Sequence, residues 1–186
     1  MRAHQSNLKA VRPERPPGAG WHDTLADGTP VLIRPVRKQD ANLERAFLRH
    51  LSEQGRHDRF VGVVQAPSDA VAQHLTDVQR EDQVALIALV QRDGRDVEIG
   101  AGGYFRTRDG NACHAAIAVD DAWRKLGVGT LLAHHLIGMA RASGIRRAYV
   151  ADPVVRGEHH VLAQSLGFRS RPDPEDPAAT VFELEL

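Results

Sequence analysis

The distribution of apolar residues along the chain predicts six strands. Apolar runs that alternate with polar residues, or continue unbroken over a short segment, are typical of half-buried and buried strands. The runs span residues 31–34, 84–90, 97–106, a segment that ends at 119, 146–151 and 180–186. Asp27-Gly28 and Asp109-Gly110-Asn111 are turn signals, and the second predicts a hairpin between the third and fourth strands. Regular structure is expected to begin near Thr24.

Apolar residues at helical spacing predict four helices. The first begins at Asp40, a candidate N-cap, and extends to about Leu51. A second, shorter helix opens at Ser68 or Asp69, the third runs from 127 to 143 and ends at Gly144, and the fourth runs from 157 to 166. The residues expected on buried faces are Leu43, Ala46, Phe47 and Leu51 in the first helix, Val71, Ala72, Leu75 and Val78 in the second, and Leu131, Leu132, His135, Leu136 and Met139 in the third.

This order of strands and helices predicts an α/β fold with a mixed, mainly antiparallel central sheet flanked by helices. Residues 21–186 are expected to form a single domain, because a chain of 186 residues is long enough for one core. Residues 1–20 hold Arg2, Lys9, Arg12 and Arg15 among three prolines. They have little apolar surface to bury, so we expect a flexible basic arm.

Composition and charge exclude several classes of protein. Lys and Arg together number 24, as do Asp and Glu, so no global field recruits nucleic acid or an anionic membrane. No apolar run reaches the length of a membrane span. The single cysteine excludes an internal disulfide framework and fits a reducing compartment. A cytoplasmic protein is therefore expected, with its oligomeric state left open, a homodimer included.

A glycine-containing loop between a strand and a helix is the most informative motif. The strand ends at Val119 and is followed, after a short acidic turn, by Arg124-x-x-Gly127-x-Gly129 at the start of the third helix. A helix start carries unpaired N–H groups and the positive end of the helix dipole, which together attract phosphate. Glycines let an anion approach the backbone closely. The motif therefore predicts a pyrophosphate site.

The spacing of the motif excludes the two commonest phosphate-binding loops. A dinucleotide-binding loop has its first glycine directly after the strand and a third glycine three residues past the second, where this chain has Leu132. A Walker loop has a lysine between its last glycine and the following Ser or Thr, and Gly129-Thr130 has none.

The remaining pattern resembles the signature of the GNAT acetyltransferase superfamily, Gln/Arg-x-x-Gly-x-Gly/Ala after a strand. This resemblance implies that the loop amides bind the pyrophosphate of acetyl-CoA, the co-substrate, and that the preceding strand's backbone binds the pantetheine arm and polarises the thioester carbonyl. The implied coenzyme-binding residues are Ile117, Ala118, Val119, Arg124, Lys125, Leu126, Gly127, Val128, Gly129 and Thr130.

Other segments are similar to the acetyltransferase domain of bacterial protein lysine acetyltransferases. They are residues 25–35, Asp40-Ala41, Leu51-Ser52, Arg59-Phe60 and 119–123, so the similarity covers about residues 22–170. It implies acetyl transfer to a protein lysine. Two other functions remain open: acetylation of a small-molecule amine, and a catalytically degenerate module that binds acetyl-CoA for regulation.

The chain departs from that family where catalytic residues are expected. The family's glutamate position holds His114, its usual asparagine falls at Arg156, and the superfamily's frequent acid tyrosine falls at Ala163. A histidine whose pKa is near the unperturbed value of about 6.5 is mostly neutral at pH 7, so His114 is a candidate general base. Strand alternation places it on one face with Ala116 and Ala118.

Tyr104, on the preceding strand, is a candidate acid for the leaving thiolate, with core packing as its alternative. Cys113 is expected to face the core, away from its neighbour His114. The adjacent pairs His134-His135 and His159-His160 do not have the spacing of metal ligands, since neighbouring residues on a helix diverge, and no metal is expected.

Overall fold

A computed structural model describes residues 20–52, 83–152, 158–172 and 180–186 of the chain. The strands are β1 (Trp21–Thr24), β2 (Pro30–Pro35), β3 (Gln83–Arg92), β4 (Arg95–Arg106), β5 (Ala112–Val119), β6 (Arg147–Asp152), β7 (Arg169–Pro172) and β8 (Thr180–Glu185). The α-helices are α1 (Ala41–His50), α2 (Val128–Ala142) and α3 (Glu158–Ser165), and short 3₁₀ turns occupy Lys38–Asp40 and Asp121–Trp123. The predicted second helix and the basic arm up to residue 19 lie outside the described ranges.

Within the described ranges, the eight strands form one sheet in the order β1-β2-β3-β4-β5-β6-β8-β7. Every neighbouring pair is antiparallel except β5 and β6, which are parallel. The predicted mixed, mainly antiparallel sheet is therefore confirmed, as is the hairpin between β4 and β5. Two strands were not predicted from the sequence, because β1 and β7 are four residues long and mostly polar.

Helix α1 packs on one face of the sheet. Its buried residues lie at Glu44, Phe47 and Leu48, and the apolar cluster beneath it contains Ile87, Leu89, Ala101 and Ala118. The prediction that Ala46 is buried was wrong: the buried stripe follows positions 44, 47, 48 and 51, which leaves Ala46 exposed.

A buried ion pair fixes the start of α1. Asp40 lies at the N-cap position, but contrary to the sequence-based expectation its carboxylate makes no capping hydrogen bond to that helix. The carboxylate instead accepts hydrogen bonds from both terminal nitrogens of Arg34, at 2.6 and 2.8 Å, and from the backbone N–H of Arg37 at 2.7 Å. Charge-assisted, bidentate geometry of this kind holds the helix end to β2.

Helix α2 packs on the opposite face, against β3, β4 and β5. Val128, Leu132 and Leu136 are buried there, as part of the larger apolar cluster. The helix approaches the sheet closely over Gly100, where a Cβ would lie 2.8 Å from Val128 Cγ1. It ends as predicted at Gly144 (φ +77°), whose N–H bonds to Arg141 O.

Candidate functional site

The parallel strands β5 and β6 separate after three residue pairs. Their register joins Ala112 to Arg147, Cys113 to Ala148 and His114 to Tyr149. Beyond His114, β5 continues to Val119 and stays paired with β4 on its other side, while no described strand pairs with residues 115–119 on the β6 side. We call this opening between β5 and β6 the fork. Its free backbone N–H and C=O groups can bind an extended ligand.

A cavity of 570 Å³ lies beyond the open end of the fork, at the N-terminus of α2. The N–H groups of a helix's first turn have no partner within the helix, and here they belong to residues that line the cavity. The lining residues are Val119, Trp123, Arg124, Lys125, Gly127, Val128, Gly129, Thr130, Val161, Leu162 and Ser165. Seven of the ten predicted coenzyme-binding residues are therefore in the cavity wall.

The loop before α2 has the backbone conformation that its glycine predicts. Gly127 has φ +95°, and a Cβ added there would meet nothing within 4 Å, so space is open above it. Lys125 also has a positive φ, +63°, which is uncommon for a residue with a side chain. The carbonyl of Leu126 accepts a hydrogen bond from Ala26 N at 3.0 Å, which fastens the loop to the turn between β1 and β2.

Arg124 is held beside the cavity by an acidic neighbour. Its Nη2 lies 2.6 Å from Asp121 Oδ1, and about a third of the Arg124 side chain is exposed. Ser52, just past the end of α1, donates a longer hydrogen bond to the same carboxylate oxygen at 3.4 Å. The guanidinium is thus oriented before any ligand is bound, and an anion in the cavity would compete with Asp121 for it.

Sequence reasoning missed four of the cavity residues. Trp123 precedes the motif, and Arg92 from the β3–β4 hairpin lies over its ring at 5.2 Å. Val161, Leu162 and Ser165 come from α3, where the sequence predicts a helix but not which of its faces meets α2. Leu162 Cδ2 would lie 3.2 Å from a Cβ at Gly129, so the second glycine of the motif lets the two helices pack closely.

His114 lies exposed at the closed end of the fork. It is on the α1 side of the sheet. It precedes Ala118 by four residues on the same strand, so the two side chains share a face, and Ala118 belongs to the cluster beneath α1. The ring of Tyr149 on β6 is its aromatic neighbour, with centroids 5.5 Å apart and an interplanar angle of 38°. The predicted sharing of one face with Ala116 and Ala118 is confirmed.

Tyr104 and Cys113 lie on the other side of the sheet. Tyr104 pairs with Ala115, is 3% exposed and belongs to the cluster beneath α2. Burial raises the pKa of Tyr104 despite its hydrogen bond with Ser143. Cys113 is also buried, as expected, and burial raises its pKa to about 11. The structure therefore places Tyr104 in the core, away from His114.

Two further candidate positions are Arg156 and Ala163. Arg156 lies outside the described residues, and Ala163 is buried in the core. Of the paired histidines, His134 is exposed, while His135 bonds to Asp23 Oδ2 at 2.8 Å and stacks on Trp21.

Among the residues the structure describes, no three His, Cys, Asp or Glu side chains are grouped as metal ligands, and no helix is long and apolar enough to cross a membrane.

Comparison with known proteins gives matches over most of the chain. The family model described as acetyltransferase (GNAT) family matches residues 45–168. Acetyltransferase PA5475 of Pseudomonas aeruginosa is 35% identical over 169 residues, which is 91% of this chain and 91% of that protein.

Solved structures share the fold at lower identity. The GNAT domain of S. lividans PAT has a TM-score of 0.79 and 23% identity, covering 93% of this chain and all of that one. The PaiA N-acetyltransferase of Thermoplasma acidophilum, solved in complex with coenzyme A, has a TM-score of 0.62 and 13% identity, covering 84% and 99%.

Proposed function

The chain belongs to the GNAT acetyltransferase family, and we propose that the amine it acetylates is the side chain of a protein lysine. Members of this family are N-acetyltransferases that take the acetyl group from acetyl-CoA. Two observations support the lysine acceptor: the segments that resemble bacterial protein lysine acetyltransferases, and the exposure of His114 on an accessible face of the sheet. The resemblance to protein lysine acetyltransferases carries the choice of acceptor, and the position of His114 at the closed end of the fork supports its role as the base.

In this proposal the cavity and the fork bind different parts of acetyl-CoA. The first-turn N–H groups of α2, with Arg124 and Lys125, hold the pyrophosphate. The free edge of β5, at Ile117, Ala118 and Val119, binds the pantetheine arm and polarises the thioester carbonyl through backbone hydrogen bonds. The arm then runs along β5 from the open end of the fork towards the closed end, where the thioester meets His114.

His114 acts in this proposal as the general base. Lysine has an ordinary pKa of about 10.4, so deprotonating it near pH 7 costs roughly 4–5 kcal/mol. A positioned base that takes the proton removes much of this cost and contributes about 10²–10⁴-fold in rate. His114 is exposed on the α1 side of β5, where an amine can approach from solvent.

The experiment that tests the proposal follows acetyl-labelled acetyl-CoA into the protein and metabolite fractions of a cell lysate. Wild type, His114→Ala and His134→Ala are compared, and the last is the matched control because His134 is exposed on α2. We expect label on protein lysines with wild type and the control, and strongly reduced label with His114→Ala. Label confined to small amines would overturn the lysine acceptor. Unchanged transfer by His114→Ala would overturn the base.

A further inference from the structure

The closed end of the fork is bordered by two polar side chains from different strands. His114 and Tyr149 form the last pair before β5 and β6 separate, and their rings contact each other. The neighbouring positions on β5 and β6 hold Cys113, which is buried in the cluster on the other face of the sheet, and the alkyl residues Ala115, Ala116, Ala148 and Val150. On the face that carries His114, the described parts of these two strands therefore offer an imidazole and a phenol that can exchange a proton with a ligand at this end of the fork.

Two arginines flank the ring of Tyr149. The guanidinium carbon of Arg147, on β6, lies 5.9 Å from the ring centroid, and that of Arg171, on β7, lies 5.6 Å from it. Glu183 on β8 accepts from Arg171 at 2.9 Å and lies 3.9 Å from Arg147. Among the residues that the structure describes, the two cations over the ring of Tyr149 and the carboxylate beside them come from β6, β7 and β8, and His114 lies on β5.

The two guanidinium groups help to position the ring of Tyr149. Each lies over the ring, as in a cation–π contact, and arginine stays charged at every pH of interest. Glu183 pairs with Arg171 and lies 3.9 Å from Arg147, so these contacts keep the phenol next to His114 at the closed end of the fork.

We infer that Tyr149 donates the proton that the departing thiolate of coenzyme A takes up. The inference rests on the proposed function. The attacking lysine gives up two protons. The first passes from its ammonium group through His114 to solvent, which leaves a neutral amine. The second passes to His114 as the C–N bond forms and the C–S bond breaks, while sulfur receives the phenolic proton of Tyr149. The imidazolium of His114, beside the phenolate, then returns this second proton to it. The net change is one acetyl group moved, one thiol formed and one proton released to solvent, with both side chains restored.

The chain has one other tyrosine, Tyr104, and its placement does not suit this role. It belongs to the core cluster beneath α2, on the opposite face of the sheet from His114. Burial raises its pKa, which weakens it as a proton donor to a thiolate. Tyr104→Phe therefore serves as the matched control for Tyr149→Phe, since each variant deletes one phenolic hydroxyl.

The first test measures turnover with acetyl-CoA and with acetyl-seleno-coenzyme A, whose more acidic selenol leaves without needing a proton. We expect Tyr149→Phe to lower kcat with acetyl-CoA by roughly 10–10²-fold, within the range of a general acid, with KM for acetyl-CoA unchanged. With the seleno analogue, Tyr149→Phe is expected to turn over at nearly the wild-type rate. Tyr104→Phe is expected to match wild type with both donors.

The second test needs no turnover. At about pH 7.5, where a selenol is ionised and a phenol is not, calorimetry compares the binding of seleno-coenzyme A and of desulfo-coenzyme A. A phenol that donates to the selenolate strengthens the binding of seleno-coenzyme A alone. We expect Tyr149→Phe to weaken binding of seleno-coenzyme A by several-fold and to leave that of desulfo-coenzyme A unchanged.

The outcomes separate this inference from the function on which it rests. If wild type transfers acetyl to lysine, but Tyr149→Phe has an unchanged kcat and unchanged seleno-coenzyme A binding, the inference is wrong and the proposed function stands. If Tyr104→Phe alone loses turnover with acetyl-CoA and recovers with the seleno analogue, the acid is Tyr104. If wild type transfers acetyl to no amine, both proposals are overturned.

Discussion

Individual residues at the two ends of the site have separable roles. His114 and Tyr149 border the closed end of the fork, whereas Arg124 borders the cavity at the start of α2. Substitutions at the closed end should change kcat, and substitutions at the cavity should change affinity for the coenzyme. This division follows from where the side chains lie, because the reacting bond and the phosphates are at opposite ends of the pantetheine arm.

Arg124 and Asp121 make the affinity prediction specific. We expect Arg124→Ala to weaken coenzyme A binding by about tenfold, since a partly exposed hydrogen bond between charged groups contributes on the order of 1–1.5 kcal/mol. Asp121→Asn removes the competing anion at 2.6 Å from Arg124 and should strengthen binding by a few-fold. Titration calorimetry measures both, with Arg141→Ala, exposed on α2, as the control. Equal affinities for all four proteins would show that Arg124 does not contact the phosphates.

Cys113 should be inert in the native protein. It is 1% exposed, and its pKa of about 11 leaves almost no thiolate at neutral pH. Iodoacetamide should therefore label it only as fast as the protein unfolds, and native protein treated briefly with the reagent should keep its transfer activity. Mass spectrometry of the time course checks this. Rapid labelling together with loss of transfer would instead place a reactive thiol in the site.

At the scale of elements, the loop before α2 needs glycine at position 127 because of its backbone conformation. Gly127 has φ +95°, so Gly127→Ala strains the backbone by about 1–2 kcal/mol and adds a methyl group above the loop. We expect a lower Tm and weaker coenzyme A binding. Gly144→Ala is the matched control: it has φ +77°, an equally open Cβ position, and lies at the other end of the same helix.

The comparison separates backbone strain from ligand contact. Both variants should lose a similar amount of stability. Gly144→Ala should bind coenzyme A as tightly as wild type, whereas Gly127→Ala should bind it more weakly. If both bind coenzyme A as tightly as wild type, the pyrophosphate does not approach the backbone at Gly127. Thermal unfolding and calorimetry on the same samples provide the two readouts.

The buried pair that fixes α1 makes folding stability depend on pH. Burial alone would raise the pKa of Asp40, but the hydrogen bonds from Arg34 and from Arg37 N–H outweigh it, and the pKa is lowered overall. A carboxylate with a lowered pKa in the folded state contributes stability above its unfolded pKa of about 3.9, and that contribution is lost as pH falls through the folded value. Wild type should lose this stability below about pH 4.

Asp40→Asn tests the contribution directly. It leaves the buried Arg34 without its charged partner, 2.6 Å away in wild type, and should cost about 3–5 kcal/mol near pH 7. The cost should shrink on acidification below about pH 4, where wild type loses the same interaction. Urea unfolding at several pH values measures it, and Arg34→Met/Asp40→Asn should recover part of the loss at pH 7. A constant difference at every pH would assign the effect to packing rather than charge.

The sequence predicted those elements whose pattern is long and periodic. Helix α2 has a Gly-rich start, an apolar stripe and a Gly144 stop, and its bounds were predicted to within about a residue. Strands β1 and β7 escaped prediction because short polar strands acquire their structure from pairing with β2 and β8. The sequence predicted that Asp40 lies at the start of α1, but not that its carboxylate pairs with Arg34. A capping carboxylate and an ion-paired one look alike in sequence.

At the scale of the whole molecule, the site arises where the one parallel strand pair of the described sheet meets the antiparallel remainder. A parallel connection requires a crossover helix, and α2 is that helix, so its N-terminus lies directly beyond the end of β5. The fork, the cavity and the position of the loop before α2 are therefore consequences of one topological feature. The sequence motif indicates the loop. It does not indicate the strand register, which opens the fork after His114 and brings Tyr149 beside His114.

The central claim is that acetyl transfer at the fork depends on neutral His114. The most direct measurement is kcat/KM for a lysine peptide, from about pH 6 to 8, for wild type and His114→Ala at saturating acetyl-CoA. The ring of Tyr149 lies beside His114, and Arg147, Arg171 and Glu183 surround that ring. We predict that His114→Ala is slower than wild type by about 10²–10⁴-fold. Without the base, its rate should rise in proportion to the neutral fraction of lysine, whose ordinary pKa of about 10.4 lies above this range, whereas the wild-type rate should depend less steeply on pH. The same pH profile at the same rate in both proteins would contradict the account.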